Sequence, residues 1–451
     1  MGHNNRTPGD ETKQGAGIFG ADGPMNMVAA TDSPPGGMPL SRRDFIAGTG
    51  ALIGALLIDV RIATSSTTPP VRVGIIMSGD SEKSSDLESL VAGFELFVKE
   101  RRASTLKLLK KHAGHKDEKT LAALVGLLAR EDVQFLIGPD SLAGTEKCIH
   151  GLPADKAILF VTNPSVRFVS GELCAPGAFR LTPNTYQSAR PLAGWALSSL
   201  GAKAFLVGSD DDEGNEEADF FAYGFERAGG KFANRIMAPP EAKPITDAIQ
   251  EILAAKPSFV FSSFRGKASQ LFLKQYFDGK KSGLPPLIGP ESLATYPQPA
   301  EALGKICDGL RTEVFLKDPV KFAAKVRRQT GRRVANAERA AEGYDIAHVI
   351  LKASEKYGAH NKGAEASKLI DIVEQIEIDG PRGKIRFDKN HEPILDAHVA
   401  EWQWNGKALG SKTIKDLGTC QSLDFGCGRV GFPQRPKEEE EDATDSEKKA
   451  S

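Results

Sequence analysis

Neither sign of charge dominates this chain: 58 Lys+Arg face 59 Asp+Glu, for a formal net charge of −1. A balanced chain leaves no electrostatic footprint for nucleic acid or for an anionic membrane surface. No apolar run reaches the ~20 residues of a membrane-spanning helix. G-x-S-x-G elbows, H-E-x-x-H pairs and Walker loops are absent, which removes the usual sequence warrants for hydrolase, metalloprotease and nucleotide chemistry. The 8 histidines are scattered. His112 and His115 are close in sequence but sit in a Lys-rich stretch that reads as surface. The 5 cysteines (Cys148, Cys174, Cys307, Cys420, Cys427) include no C-x-x-C pair, which argues against zinc. No enzyme chemistry, metal or cofactor is expected.

The most informative short segment is Ser41-Arg42-Arg43-Asp44-Phe45-Ile46. Two arginines precede a Gly-bearing apolar run that extends to Ile58 and is closed by Asp59. The run has the length of a secretory h-region, and the arginine pair makes it the twin-arginine type. An uncleaved anchor, or an arginine pair before a core helix, is the alternative. Export through the twin-arginine machinery to the periplasm is the expectation. No cysteine precedes Cys148, so lipid anchoring is not expected. Residues 1–68 are taken as a disordered extension, the signal and a linker. In an oxidising compartment cysteines pair. Cys420 and Cys427, close together in a Gly-rich segment, are the first candidates for a disulfide. Cys148 with Cys174 comes second, and Cys307 remains free. The acidic end, 431–451, is expected to be a solvated, disordered tail.

Between these ends the chain alternates. Val71 to Met77 is a β-branched run that predicts a buried strand, and Leu87, Leu90, Val91, Phe94, Phe97 and Val98 then recur at helical spacing. A helix through Leu121 to Leu128 follows, with strands at Val133 to Ile137 and Ala157 to Val161. A second series begins with a strand at Ala204 to Gly208 and ends with one at Pro286 to Ile288. From Val320 the chain turns helical, and two strands, Lys384 to Phe387 and His398 to Trp404, come last. Alternation of this kind predicts an α/β fold with two parallel sheets, each flanked by helices.

The landmarks Val73-Gly74-Ile75, Ile137-Gly138-Pro139-Asp140-Ser141, Phe179-Arg180 with Gln187, Gly289-Pro290-Glu291, Gly343-Tyr344-Asp345, and Gly380-Pro381 with Phe387-Asp388 occur in this order. In that order the chain resembles the type I periplasmic substrate-binding proteins, in the branch that binds leucine, isoleucine and valine. The resemblance runs from about Val71 to Lys407. It implies two Rossmann-like lobes joined by a three-crossing hinge: lobe one from 71–182 with 313–386, lobe two from 183–312 with 387–430. It implies a receptor that takes an amino acid or related small molecule between the lobes and delivers it to the membrane permease of an ABC importer. A ligand-sensing or accessory receptor not dedicated to transport is the alternative.

Ligands of open α/β sheets bind beyond the carboxyl ends of the strands. The loops concerned contain Ser78, Ser141 and Leu142, Asn163-Pro164-Ser165, Glu213, Phe264-Arg265 and Glu291. By the resemblance, Ser141 or Leu142 is the ligand-binding position of its loop, Asn163 to Ser165 grips a carboxylate, and Glu291 holds an α-ammonium. Ser141 and Ser165 are equally suited to capping a helix or starting a turn, and Glu291 to being a solvated charge. Two departures bear on the ligand. Glu213 replaces an aromatic residue, and Phe264-Arg265 stands where the family has a tyrosine pair. Arg265 is placed to meet an anionic group, so an amide, a dicarboxylate and an aromatic acid stay open beside the aliphatic amino acids.

Overall fold

The run Val71–Met77 forms β1 because all its side chains but Arg72 are apolar or small and are buried on both faces. A strand covered on both sides belongs inside a parallel sheet. β1 pairs in parallel with β2 (Leu106–His112) and β3 (Phe135–Ile137), and β4 (Ile158–Val161) and β5 (Ala178–Arg180) complete a five-stranded sheet in the order β2-β1-β3-β4-β5. The helices α1 (Ser85–Arg101), α2 (Asp117–Arg130) and α3 (Leu142–Gly151) connect its first strands.

These features come from a computed structural model. It describes residues 70–77, 85–113, 117–131, 133–152, 157–239, 242–277, 283–295, 304–358, 366–405 and 409–427, all within the unit Ser66–Ser451. The arginine pair with its apolar run, Ser78, His115 and the acidic tail lie outside the described residues. No helix among the described residues is long and apolar enough to cross a membrane.

The second sheet has nine strands. β6 (Lys203–Ser209), β7 (Lys231–Ala238), β8 (Phe259–Ser263), β9 (Leu287–Gly289) and β10 (Arg311–Val314) are parallel. Antiparallel to β10 runs β13 (Pro393–Trp404), flanked by β14 (Leu409–Cys420) and by the hairpin of β11 (Glu377–Gly380) and β12 (Gly383–Phe387). The helices of this half are α4 (Thr185–Leu200), α5 (Asp212–Arg227), α6 (Ala242–Ala255), α7 (Gly266–Phe277) and the short α8 (Ser292–Thr295). The chain then returns to the first sheet as α9 (Pro319–Thr330), α10 (Ala337–Tyr357) and α11 (Ala366–Glu374), whose Phe322, Val326, Ile346 and Val373 join the core under β1. Each sheet has a core on both faces. The result is two α/β lobes. The chain passes between them after β5, after β10 and between β12 and β13.

Several elements differ from the sequence expectation. The Lys-rich stretch before His112 is a strand, β2. It lies at the sheet edge, where Lys107 is exposed and Lys110 and Lys111 are half-buried. Lysines on an edge strand are a common guard against further pairing, and they hid the apolar alternation. α4 escaped notice because Pro191 lies inside it; the helix starts from a capping box between Asn184 and Gln187. The expected lobe boundary at 313 falls inside β10, which stays bonded to β13 as far as Val314. The β11–β12 hairpin is also divided: it is hydrogen-bonded to the second sheet, yet Ile378, Ile385 and Phe387 pack in the core of the first.

The disulfide is Cys174–Cys427, with Cα atoms 5.7 Å apart and a sequence separation of 253. It replaces both expected pairings. Cys420 ends β14 opposite Leu395 and is turned inward, its Sγ 3.8 Å from the carbonyl of Gln187. Cys148 is buried on α3 among Leu124, Ile149 and Leu159, and burial pushes its thiol up to about 12. Sequence proximity failed as a guide because the segment after β14 runs away from the strand end.

The return of the chain to lobe one depends on two glycines. α1 and α10 meet so closely that a Cβ on Gly93 would lie 1.7 Å from the Ala340 carbonyl oxygen, and one on Gly343 would lie 1.9 Å from that of Leu90. Both obstacles are backbone, so the helices must separate to admit a methyl group. Gly343→Ala is therefore expected to destabilise the protein by about 3 kcal/mol, the upper end for overpacking. Urea denaturation measures this, and an unchanged midpoint would show that the two helices are not held at this separation.

Candidate functional site

In lobe one, the loop after β3 brings Asp140 and Ser141 to the sheet's carboxyl edge. Ser141 is the N-cap of α3, and its Oγ accepts from Gly144 N at 3.3 Å. Leu142 begins that helix and packs half-buried against the lobe-one core. The loop after β4 is more constrained. Asn163 is fully buried; its Oδ1 accepts from Ser165 N at 2.9 Å, and its Nδ2 donates to the Asp140 carbonyl at 2.7 Å. This local amide turn fixes Pro164 and Ser165 against the neighbouring β3 loop. Ser165 also caps the short 3-10 turn Val166–Phe168.

Lobe two meets this loop with α5. Asp211 caps the helix by accepting from Gly214 N at 2.7 Å, and Asp212 and Glu213 stand in the first turn, where the helix dipole favours acids. Glu213, Glu216 and Glu217 share one helix face by their i, i+3, i+4 spacing. Asn163 Nδ2 donates to Glu213 Oε1 at 2.8 Å, and Ser165 Oγ to Glu216 Oε1 at 3.2 Å. Thr185 Oγ1, at the start of α4, donates to Glu216 Oε2 at 2.5 Å. The two lobes therefore touch through polar contacts at the site where the strand ends of both sheets converge.

Arg265 follows β8 and pairs with Glu213 (Nη2 to Oε2, 3.1 Å) and Glu217 (Nη1 to Oε2, 3.6 Å). Two carboxyl groups thus share one guanidinium. Burial pushes Glu217 up to about 7, against the pull of Arg265, and also raises Glu216. Deeper in lobe two, Glu313 on β10 is fully buried with neither carboxylate oxygen hydrogen-bonded. Burial holds it well above the usual carboxylate range, reinforced by the charges of Glu217 and Glu338. On the lobe-one side, Arg339 Nη1 donates to Thr182 Oγ1 at 3.1 Å and Glu342 Oε2 at 2.8 Å. Asp86, in the first turn of α1, is raised to about 6 by burial, with Arg339 pulling it down.

The structure thus joins Asn163, Ser165, Glu213 and Arg265 in one polar junction, with Ser141 one loop away. Phe264 is not part of it: its ring is fully buried in the lobe-two core, 4.9 Å from Phe272, because the residue after β8 points under the sheet while Arg265 points out. Glu291 lies half-buried just before α8. Sequence inspection missed Glu216 and Glu217. The signal was present as Glu213 followed three and four residues later by two more acids, a spacing that puts all three on one helix face. Among the described residues no group of His, Cys, Asp and Glu is arranged to hold a metal ion.

A family model described as Periplasmic binding protein matches residues 70–408. A Leu/Ile/Val-binding protein homolog 6 of Brucella suis biovar 1 is 25% identical over 357 residues, which covers 75% of this chain and 89% of the relative. Among solved structures, an ABC-transporter solute binding protein of R. palustris in complex with benzoate has a TM-score of 0.68 at 20% identity, covering 80% of this chain and 100% of its own. A leucine binding protein of Thermotoga maritima has a TM-score of 0.62 at 17% identity, covering 78% and 99%. At these identities the structural likeness establishes the two-lobed fold.

The buried acids have a thermodynamic consequence. Folded Glu217 retains a proton that the unfolded chain releases near 4.5, so its contribution to stability is lost as pH rises from about 4.5 to about 7. Asp86 and Glu338, raised by burial to about 6 and about 7, act in the same direction. Glu217→Gln is expected to flatten this slope and raise the melting temperature at pH 8 by roughly 1–2 °C, the effect of ~1 kcal/mol in a folded unit of this size. Thermal melts across pH measure it; a variant with the wild-type slope would remove Glu217 from the account.

Proposed function

The chain belongs to the periplasmic binding protein family, and on that premise we propose that it is a solute-binding receptor of an ABC importer. It takes an amino acid or related small molecule, of the branched-chain type, between its two lobes. The observation that carries this reading is the junction of the β4 loop with α5, where the carboxyl ends of two parallel sheets face each other across a three-crossing hinge. We assign lobe one to 71–182 with 315–386 and lobe two to 183–314 with 387–430, the second boundary being moved from 313 to the end of β10.

In this account Ser78, Ser141 and the turn Asn163-Pro164-Ser165 offer hydroxyl and amide groups to the ligand's carboxylate, with Leu142 beside them. Glu291, in the loop after β9, would act with Glu213 and Arg265 on the lobe-two side. Because Arg265 is already held by Glu213 and Glu217, that side favours an ammonium over an anionic group. This supports an amino acid over a simple aromatic acid. Ligand would replace the direct contacts of Glu213 and Glu216 with Asn163 and Ser165 and shift the lobes toward the closed population that a membrane permease recognises. No bond is made or broken in the ligand. Export to the periplasm by the twin-arginine machinery completes the proposal. It is supported by the family, by the arginine pair before Phe45, and by a disulfide of the kind that persists in oxidising compartments.

The test is a thermal-shift screen of protein unfolded and refolded to strip bound solute, against amino acids, small amides and aromatic acids. A solute that binds only the native state raises the melting temperature by mass action. Leucine, isoleucine or valine is expected to do so, and Glu291→Gln to weaken their binding by ~1.5–3 kcal/mol, the value of a charge-assisted hydrogen bond. Calorimetry that finds equal affinity for wild type and variant would remove Glu291 from the ammonium site. A response confined to compounds without an amine would retire the amino-acid assignment.

A further inference from the structure

The three backbone crossings are not the only link between the lobes. After β14 the chain leaves the second sheet as Gln421–Cys427 and runs along the hinge. Asn184 Nδ2, at the first crossing, donates to Ser422 Oγ at 2.7 Å. Lys389, at the third crossing, pairs with Asp424 at 3.5 Å. The ring of Phe425 is then seated on lobe two, 5.7 Å from Tyr186 of α4 and 5.3 Å from Phe220 of α5. The same residue's N–H donates to the carbonyl of Ser170, in lobe one, at 3.1 Å. Two residues later Cys427 is joined to Cys174, which lies in the loop between β4 and β5 of lobe one.

We propose that Gln421–Cys427 is a strap: a fourth, covalently closed connection that confines the rotation of one lobe against the other. The geometry makes the restraint short. From the aromatic seat of Phe425 to the disulfide there are two residues, which span at most ~7 Å when fully extended. A hinge of three crossings can both open and twist. A fourth link beside the first and third crossings resists motions that separate the loop at Ser170–Cys174 from the α4–α5 face. The Arg180–Glu392 pair and the Ser170–Glu392 hydrogen bond (2.8 Å) lie at the same place, so the strap closes over the hinge's own polar centre. The strap rests on the receptor reading only in requiring lobes that move.

The test is single-molecule energy transfer on the ligand-free, full mature chain. Ketone-bearing residues are introduced at exposed Lys147 of α3 and Lys274 of α7, so that the chain's own cysteines stay untouched. The intact protein is expected to give one narrow distribution. Cys174→Ser, Cys427→Ser and wild type treated with dithiothreitol are each expected to broaden it toward lower transfer, with circular dichroism unchanged. Phe425→Ala, which keeps the disulfide and removes the seat, is expected to broaden it partly. Should the serine variants fold poorly, reduction of the folded wild type and Phe425→Ala still decide the matter. Superimposable distributions would overturn the strap and leave the disulfide as a stabilising cross-link only, visible as a lower melting temperature. Failure of the receptor reading has a different signature: no solute shifts the distribution or the melting temperature in any variant, whereas the strap is judged on ligand-free protein.

Discussion

Arg180 carries a guanidinium with no access to water at the point where lobe one hands the chain to lobe two. Removing such a charge from solvent costs several kcal/mol, so its partners must be placed well. Nη1 donates to the Pro164 carbonyl at 2.8 Å and Nη2 to that of Ser165 at 2.6 Å, while Nε faces Glu392 at 3.7 Å. The main-chain N–H donates to the carbonyl of His391 at 3.1 Å. Burial pushes the group's pKa down, and Glu392 is the chief opposing influence. One cation thereby ties together the β4 loop, the first crossing and the third crossing. The loop that meets lobe two is thus positioned from the hinge itself.

The rest of the junction follows from that placement. With Pro164 and Ser165 fixed, the Asn163 amide and the Ser165 hydroxyl point at the first turns of α5, and the acids there receive them. Direct contacts between lobes must be weak enough for a solute to compete with. Two neutral donors on two carboxylates meet that condition better than a buried ion pair would. The closest charge pairing, Arg265 with Glu213 and Glu217, lies wholly within lobe two and moves with it. Opening the lobes therefore separates hydrogen bonds and leaves that ion pair intact. The helix packing at Gly93 and Gly343 plays the matching part in lobe one, holding α10 directly against α1.

Much of the fold was legible because buried parallel strands are continuous apolar runs; β1, β4, β6 and β8 announce themselves in this way. Three of the elements that were missed have identifiable physical reasons. β2 and β14 are only partly covered and carry lysines or other polar residues, and α4 contains a proline that tertiary packing tolerates. The polar junction between the lobes was half legible. Asn163, Ser165, Glu213 and Arg265 follow strand ends, where topology puts ligand loops, whereas Phe264 shares such a position and points into the core. Side-chain direction at a strand end depends on the local twist, which one residue of offset reverses.

By itself the sequence determined the α/β alternation, the two-lobed class and the loops that the strand ends would present, because these depend on local periodicity and chain order. Only the tertiary structure decided which residues meet across the lobes, that Arg180 anchors the hinge, and that Cys427 pairs with Cys174 instead of its neighbour Cys420. Contacts between residues that far apart in the chain are set by how two independently built sheets pack around a shared hinge, and no local pattern encodes that packing.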